Sequence, residues 1–203
     1  MYSFFKRFID IVGSSTILIL LSPLFVIISI FIRLDSRGPC FFRQDRIGKN
    51  LRLFTMLKFR SMVDSKASMG QFEEQQTKEE SRKNYLTTSK NDARITRVGK
   101  VLRRTHLDEI PQLTNVFLGD MSLIGPRPDV PVQEVDYSSR QWRRRHMRKP
   151  GITGLAQVYT NHAKMTPRLR IALDIKYTKC CSFKMDIYIV GKTIAKLFSE
   201  KSF

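Results

Sequence analysis

The sequence is poor in cysteine, histidine and acid, and each shortage removes a class of protein. Its three cysteines are Cys40, Cys180 and Cys181. Two are neighbours, which rarely bridge, and one is left over, so no disulfide framework is expected and the thiols read as reduced and cytosol-facing. His106, His146 and His162 are scattered, and no Cys or His cluster shows zinc-ligand spacing. They read as surface residues or as supports behind a site. Acids number 18 against 36 lysines and arginines, a net charge of +18. That imbalance implies an anionic partner: nucleic acid, acidic lipid or a phosphorylated substrate. At 203 residues the chain allows one compact domain plus an anchor.

Charge is missing altogether from Ile11 to Ile32, a run of 22 residues. As a straight helix it would be about 33 Å long, enough for a hydrocarbon core of about 30 Å. No small-residue cleavage site precedes a disulfide-bearing domain, so the run reads as an anchor, not a cleaved leader. Lys6 and Arg7 flank one side, Arg33 and Arg37 the other. Basic flanks favour the cytoplasm, so a single span would leave one end on the wrong side. Pro23 removes a helix hydrogen bond, and Ser22 can satisfy part of the freed backbone. A helix kinked at Ser22-Pro23 that returns to the same face satisfies both flanks; an ordinary kinked span is the alternative.

Two adjacent carboxylates, Asp108 and Glu109, stand inside the stretch RRTHLDEIPQLTNVFLGDMSLIGPRP, residues 103 to 128. Pro111 follows three residues after Asp108, and proline is tolerated only in a helix's first turn. The pattern predicts a helix from near Asp108 through Leu113, Val116 and Leu118, stopping at Gly119. Such a start offers free N–H groups and partial positive charge to the acids, favouring their ionised form. Gly125-Pro126-Arg127-Pro128 fixes an arginine on a stiff turn. Together these point to phosphate chemistry with a divalent metal. On the residues alone, Asp108 as a helix cap, or in a capping box with Thr105, is the commoner use of such an acid.

Elsewhere, residues 35 to 62 alternate glycine turns with apolar pairs and suggest short strands or an irregular wall. Residues 64 to 90 are polar and mixed in charge and read as a mobile excursion, a loop or exposed helix outside the core. Arg103, just ahead of the acids, could ion-pair with Asp108 or touch a phosphate. Trp142 among Arg143, Arg144, Arg145 and Arg148 fits a nucleic-acid patch or a segment on anionic lipid, and the neighbouring anchor favours lipid with Trp142 in the interface. From Met185 onward, Ile187, Tyr188, Val190, Ile194, Leu197 and Phe198 form an apolar face opposite Lys192, Lys196 and Lys201. That helix either packs on the core or lies at a membrane interface.

Collinear motifs cover nearly the whole chain: Lys6-Arg7-Phe8-Ile9-Asp10, Ser22-Pro23, Gln44-Asp45-Arg46-Ile47-Gly48, Lys58-Phe59-Arg60-Ser61-Met62, Asp108-Glu109-Ile110-Pro111-Gln112-Leu113, Gly125-Pro126-Arg127-Pro128, Pro150-Gly151-Ile152-Thr153-Gly154 and Leu173-Asp174-Ile175-Lys176-Tyr177. In them the chain resembles the bacterial sugar transferases, monotopic polyprenyl-phosphate phosphoglycosyltransferases. The resemblance implies transfer of a sugar 1-phosphate from a UDP-sugar to undecaprenyl phosphate, with release of UMP. It implies Asp108 as nucleophile, Glu109 and Asp108 as holders of Mg²⁺, and Arg127 as a phosphate contact. Lys58 and Arg60 become candidates for site support or headgroup contact, Arg103 for substrate binding, and Asp174 for bracing a basic site residue. One departure stands out. Where relatives commonly have Asn-Gly-Arg-Asn, this chain reads Tyr159-Thr160-Asn161-His162, so an arginine falls on Asn161; Lys164 and Arg168 are the nearest replacements.

The expected fold is α-rich α+β. Residues 1–34 form a re-entrant membrane anchor and 35–203 a small cytosolic catalytic domain with amphipathic interfacial helices, on the cytoplasmic face of a bacterial inner membrane. Anionic lipid is an expected partner and nucleic acid is not; a homo-oligomer is left open. The rival readings are a membrane protein that binds nucleic acid, and an impaired family member serving as an assembly scaffold.

Overall fold

The computed structural model describes residues 2–63, 82, 92–159 and 165–199. The excursion expected over 64–90 therefore lies outside the described residues except Arg82, which pairs with Asp136 at 3.0 Å. Asn161, His162, Lys164 and Lys201 also lie outside them.

Two helices, α1 (Tyr2–Leu20) and α2 (Ser22–Asp35), meet at a bend of 60°. Proline explains the bend. Pro23 cannot donate to the Ile19 carbonyl one turn back, and the Ser22 hydroxyl donates to it at 2.8 Å instead. Among the described residues no single helix is long and apolar enough to cross a membrane, whereas the bent pair together meets the length and composition.

A hairpin follows, β1 (Phe41–Ile47) against β2 (Leu53–Phe59), antiparallel with Arg43 opposite Leu57. This is the strand reading of residues 35–62. After it come α3 (Arg97–Arg104), capped by the Thr96 hydroxyl on Gly99 N–H, and α4 (Gln112–Leu118). Strand β3 (Ser122–Ile124) pairs in parallel with β4 (Gly151–Thr153), and α5 (Ser139–Arg145) lies between them in the chain. The C-terminal part is helical: α6 (Leu155–Tyr159), α7 (Pro167–Cys180) and α8 (Phe183–Ser199).

Helix α1 lies along α4 and β3 and is fastened to both. Arg7 donates to the carbonyls of Val116 and Phe117, at 2.6 and 2.7 Å, satisfying acceptors that a helix end leaves free. Buried Asp10 accepts from Ser122 Oγ and Leu123 N–H at 3.0 and 2.9 Å. Three apolar clusters form the interior. Ile28 and Ile32 of α2 meet Phe59 and Leu102; Met56, Val116 and Met121 lie beneath the hairpin; Ile124, Leu173, Tyr177 and Ile189 join β3 to α7 and α8. On α8 the side turned inward is Asp186 and Ile189, while Ile187, Tyr188, Val190 and Ile194 remain exposed.

The Trp142 segment departs from the sequence reading. Trp142 is 4% exposed, packed between Tyr137 and His146. Arg145 is 1% exposed and held by Asp174 at 2.9 Å and by Asp129. These side chains belong to the interior, not to a lipid interface, because two buried carboxylates supply the counter-charge that lets an arginine leave water. Arg143 and Arg148 stay exposed.

Candidate active site

The acid pair stands where the sequence places it, but the helix begins a turn later than the sequence predicts. Leu107–Glu109 form a 3₁₀ turn entered through His106 at φ 56°, and α4 proper begins at Gln112. Thr105 makes no capping box; its hydroxyl donates to Val101 O at 2.8 Å. The helix stop is as expected: Gly119, at φ 101°, closes α4 in the left-handed conformation that favours glycine.

Three elements converge on the acids. Asn115 of α4 anchors β2, accepting from Leu57 N–H at 3.0 Å and donating to Thr55 O at 2.9 Å. That docking puts the next β2 residue, Lys58, 2.8 Å from Glu109. From the other side, β3 leads into the Gly-Pro-Arg-Pro turn. Gly151 on β4 approaches so closely that a Cβ there would lie 2.0 Å from Gly125 N. The turn is fastened through Gly125 N–H to Thr153 O, Arg46 to Pro128 O, and Arg145 to Arg127 O, at 2.8, 3.0 and 2.8 Å. Arg127 then reaches Glu109 at 3.1 Å.

The two acids respond oppositely to this setting. Burial would raise Glu109, but the charges of Arg127 and Lys58 outweigh it and bring the carboxyl down to about 2. Asp108 is buried, and among the described residues no hydrogen bond or ion pair holds its carboxylate. Burial dominates there and pushes it above the usual aspartate value, with Lys58 opposing. The ionised form expected at a helix start is thus favoured for Glu109 and disfavoured for Asp108. Desolvation outweighs any stabilisation from a single 3₁₀ turn. Lys58 is itself lowered by burial, against the pull of Glu109.

Of the other sequence candidates, Arg103 donates to Ser61 Oγ at 2.9 Å and to Met62 S, and forms no ion pair with Asp108. Arg60 is buried and grips the end of α2, donating to Ser36 O at 2.6 Å and Arg37 O at 3.1 Å. Asp174 braces a buried basic residue, Arg145, which in turn holds the Arg127 carbonyl. The sequence reading missed Arg145 as a support, and it missed Arg170. Arg168 is exposed, whereas Arg170 lines the cavity beside the acids.

That cavity measures about 670 Å³. Glu109, Arg127 and Arg170 form charged parts of its wall; Ile110, Leu113, Ile17 and Leu21 are among its apolar parts. Leu21 is the residue at the bend between α1 and α2. The cavity thus joins a charged end to an apolar end at the charge-free segment. Among the described residues there is no group of three or more His, Cys, Asp or Glu side chains able to hold a metal. Two adjacent carboxylates fit Mg²⁺, which keeps waters and binds through one or two carboxylates plus substrate phosphates. They do not fit a closed zinc site.

A family model described as bacterial sugar transferase matches residues 1–200. An undecaprenyl-phosphate glucose phosphotransferase of Komagataeibacter xylinus is 37% identical over 98% of this chain and 37% of its own length. A UDP-N-acetylgalactosamine-undecaprenyl-phosphate N-acetylgalactosaminephosphotransferase of Aeromonas hydrophila is 39% identical over 98% of this chain and 44% of its own. An exopolysaccharide production protein, PSS, of Rhizobium leguminosarum bv. phaseoli is 36% identical over 98% of each chain. The chain thus spans less than half the length of the first two relatives and nearly all of the third.

Proposed function

The chain belongs to the bacterial sugar transferase family, and from that premise we propose that it transfers a sugar 1-phosphate from a UDP-sugar to undecaprenyl phosphate. The observation that carries this reading is Glu109, next in the chain to Asp108, paired with Lys58 and Arg127 and lining a cavity that runs to the apolar bend at Leu21. A diphosphate needs the cations, and a polyprenyl chain needs an apolar path.

In the proposed reaction a carboxylate oxygen of Asp108 attacks the β-phosphorus of the UDP-sugar. The bond from that phosphorus to the bridging oxygen breaks, and UMP leaves with the oxygen. The sugar phosphate is then held on Asp108 as an acyl phosphate. A phosphate oxygen of the acceptor attacks the same phosphorus and returns the Asp108 carboxylate. Splitting one transfer into two displacements is what a carboxylate nucleophile offers. Arg127 and Lys58 neutralise charge on the phosphates. Asp108 and Glu109 are the residues that would hold Mg²⁺, which supplies further charge neutralisation when bound. The desolvation that raises Asp108 also strips water from its oxygens, which favours attack.

In this reading α1 and α2 enter the cytoplasmic leaflet as a re-entrant hairpin, with both ends on the cytoplasmic side. The bend of 60° and the exposed apolar side chains of Ile19, Leu20, Val26, Ile27, Ile30 and Phe31 support it.

The test is UMP release from a panel of UDP-sugars with Mg²⁺, with and without polyprenyl phosphate, for the wild type and Asp108→Asn. Intact-protein mass is recorded in the lipid-free samples. The expected result is a mass gain of one sugar phosphate with the true donor, absent in Asp108→Asn along with turnover. Near-normal turnover by Asp108→Asn would overturn the nucleophile assignment.

A further inference from the structure

A second cavity, of about 270 Å³, opens where the first turns of α1 meet β3 and the segment after α5. Among the described residues it shares no lining residue with the cavity beside Glu109. Among the described residues its wall carries five cations, Lys6, Arg7, Lys49, Arg148 and Lys149, against one carboxylate, Asp10. Two of the cations are already matched: Lys6 pairs with Asp186 at 2.6 Å, and Arg7 holds the α4 carbonyls. Asp10 is occupied by Ser122 and Leu123. The side chains of Lys49, Arg148 and Lys149 make no hydrogen bond or ion pair with another described residue. Lys149 is half-buried, and its pKa is lowered first by burial and then by Arg7 and, more weakly, Lys49, against the opposing charges of Asp10 and Asp120.

We propose that this cavity is an anion site for a phosphate group, separate from the acid pair. Three cations without a hydrogen-bonded partner line one concavity, Lys49 and Arg7 repel Lys149 there, and a phosphate would offset that repulsion while offering several acceptors. The volume is several times the roughly 30 Å³ share of one water, so a phosphate bearing a substituent fits. Phe4 and Phe8, exposed on the same turns of α1, place apolar surface nearby, which suits a lipid phosphodiester; a soluble phosphate presents the same oxygens.

The experiment compares the full-length wild type, Lys49→Gln/Lys149→Gln, and Lys149→Arg. The first readout is the thermal midpoint in sodium phosphate against sodium chloride of equal ionic strength. The second is flotation with phosphatidylcholine vesicles, with and without phosphatidylglycerol. A phosphate-dependent rise that is lost in the double glutamine variant and kept in Lys149→Arg supports the site with a soluble phosphate as occupant. A preference for phosphatidylglycerol lost in the same variant and kept in Lys149→Arg supports it with a lipid headgroup as occupant. If both responses survive in the double variant, or the wild type shows neither, the proposal is overturned. UMP release reports on the acid pair alone, so failure there is distinguishable from failure here.

Discussion

Asp108 and Glu109 are neighbours with opposite electrostatics, and their substitutions should diverge accordingly. Glu109 falls from 4.5 to about 2 on folding. An acid lowered in the folded state adds stability above its unfolded value, and that contribution disappears as pH falls from about 4.5 towards 2. Glu109→Gln should therefore lower stability at neutral pH by on the order of 2 kcal/mol, less than the shift alone gives, because burial of Lys58 offsets part of it. Denaturant titrations at pH 7 and pH 3 check this, with the gap between variant and wild type narrowing in acid. Asp108 is raised, so its ionised form costs stability above its unfolded value. Asp108→Asn should then be at least as stable as the wild type at pH 7 while releasing no UMP. A turnover profile should lose activity on the acid side at higher pH than an exposed aspartate would dictate. Much of this residue chemistry was legible in sequence, since the acid pair and Arg127 are marked by proline and glycine spacing. The sign for Asp108 was not, because burial depends on chain segments far away. Arg60 and Arg145 show the same limit. Each sits in a run of cations, and only the tertiary fold reveals that one grips the end of α2 and the other a pair of buried carboxylates.

At the scale of elements, local rules read well where the signal is local. The stop of α4 at Gly119 and the bend at Ser22-Pro23 follow from backbone chemistry alone. The start of α4 lies a turn later than the sequence predicts, since Pro111 suits the 3₁₀ turn and the first helical turn equally. Gly119→Ala tests the stop. It places a Cβ at φ 101° and 3.1 Å from the Arg7 guanidinium, and should cost about 1 kcal/mol or somewhat more in a denaturant midpoint. The Arg7 end can shift, so the loss should stay far below that of a core cavity. The Trp142 helix departs from the sequence pattern for a different reason. Its seven residues expose several cations and bury one, and composition cannot tell which one turns inward.

At the scale of the whole molecule, the proposed hairpin makes a topological prediction. In a background with Cys40, Cys180 and Cys181 changed to serine, Ser3→Cys and Arg37→Cys should behave alike towards an impermeant maleimide. Both should be protected in intact spheroplasts and labelled in inverted vesicles. Labelling of one alone from each side would mean a full crossing. Helix α1 also carries a mechanical implication. It is pinned at two points, by Arg7 to α4 and by Asp10 to β3, and those elements lead to Glu109 and Arg127. Two pins fix a rod's direction as well as its position. With the hairpin inserted as proposed, a thicker or thinner bilayer would be accommodated by tilting the entire body, and the spacing between acid and arginine would not change. The proposed chemistry would then be insulated from the elastic state of the lipid. What thickness would alter is how high the cavity mouth rides above the leaflet, and hence how far the proposed acceptor must rise to reach it.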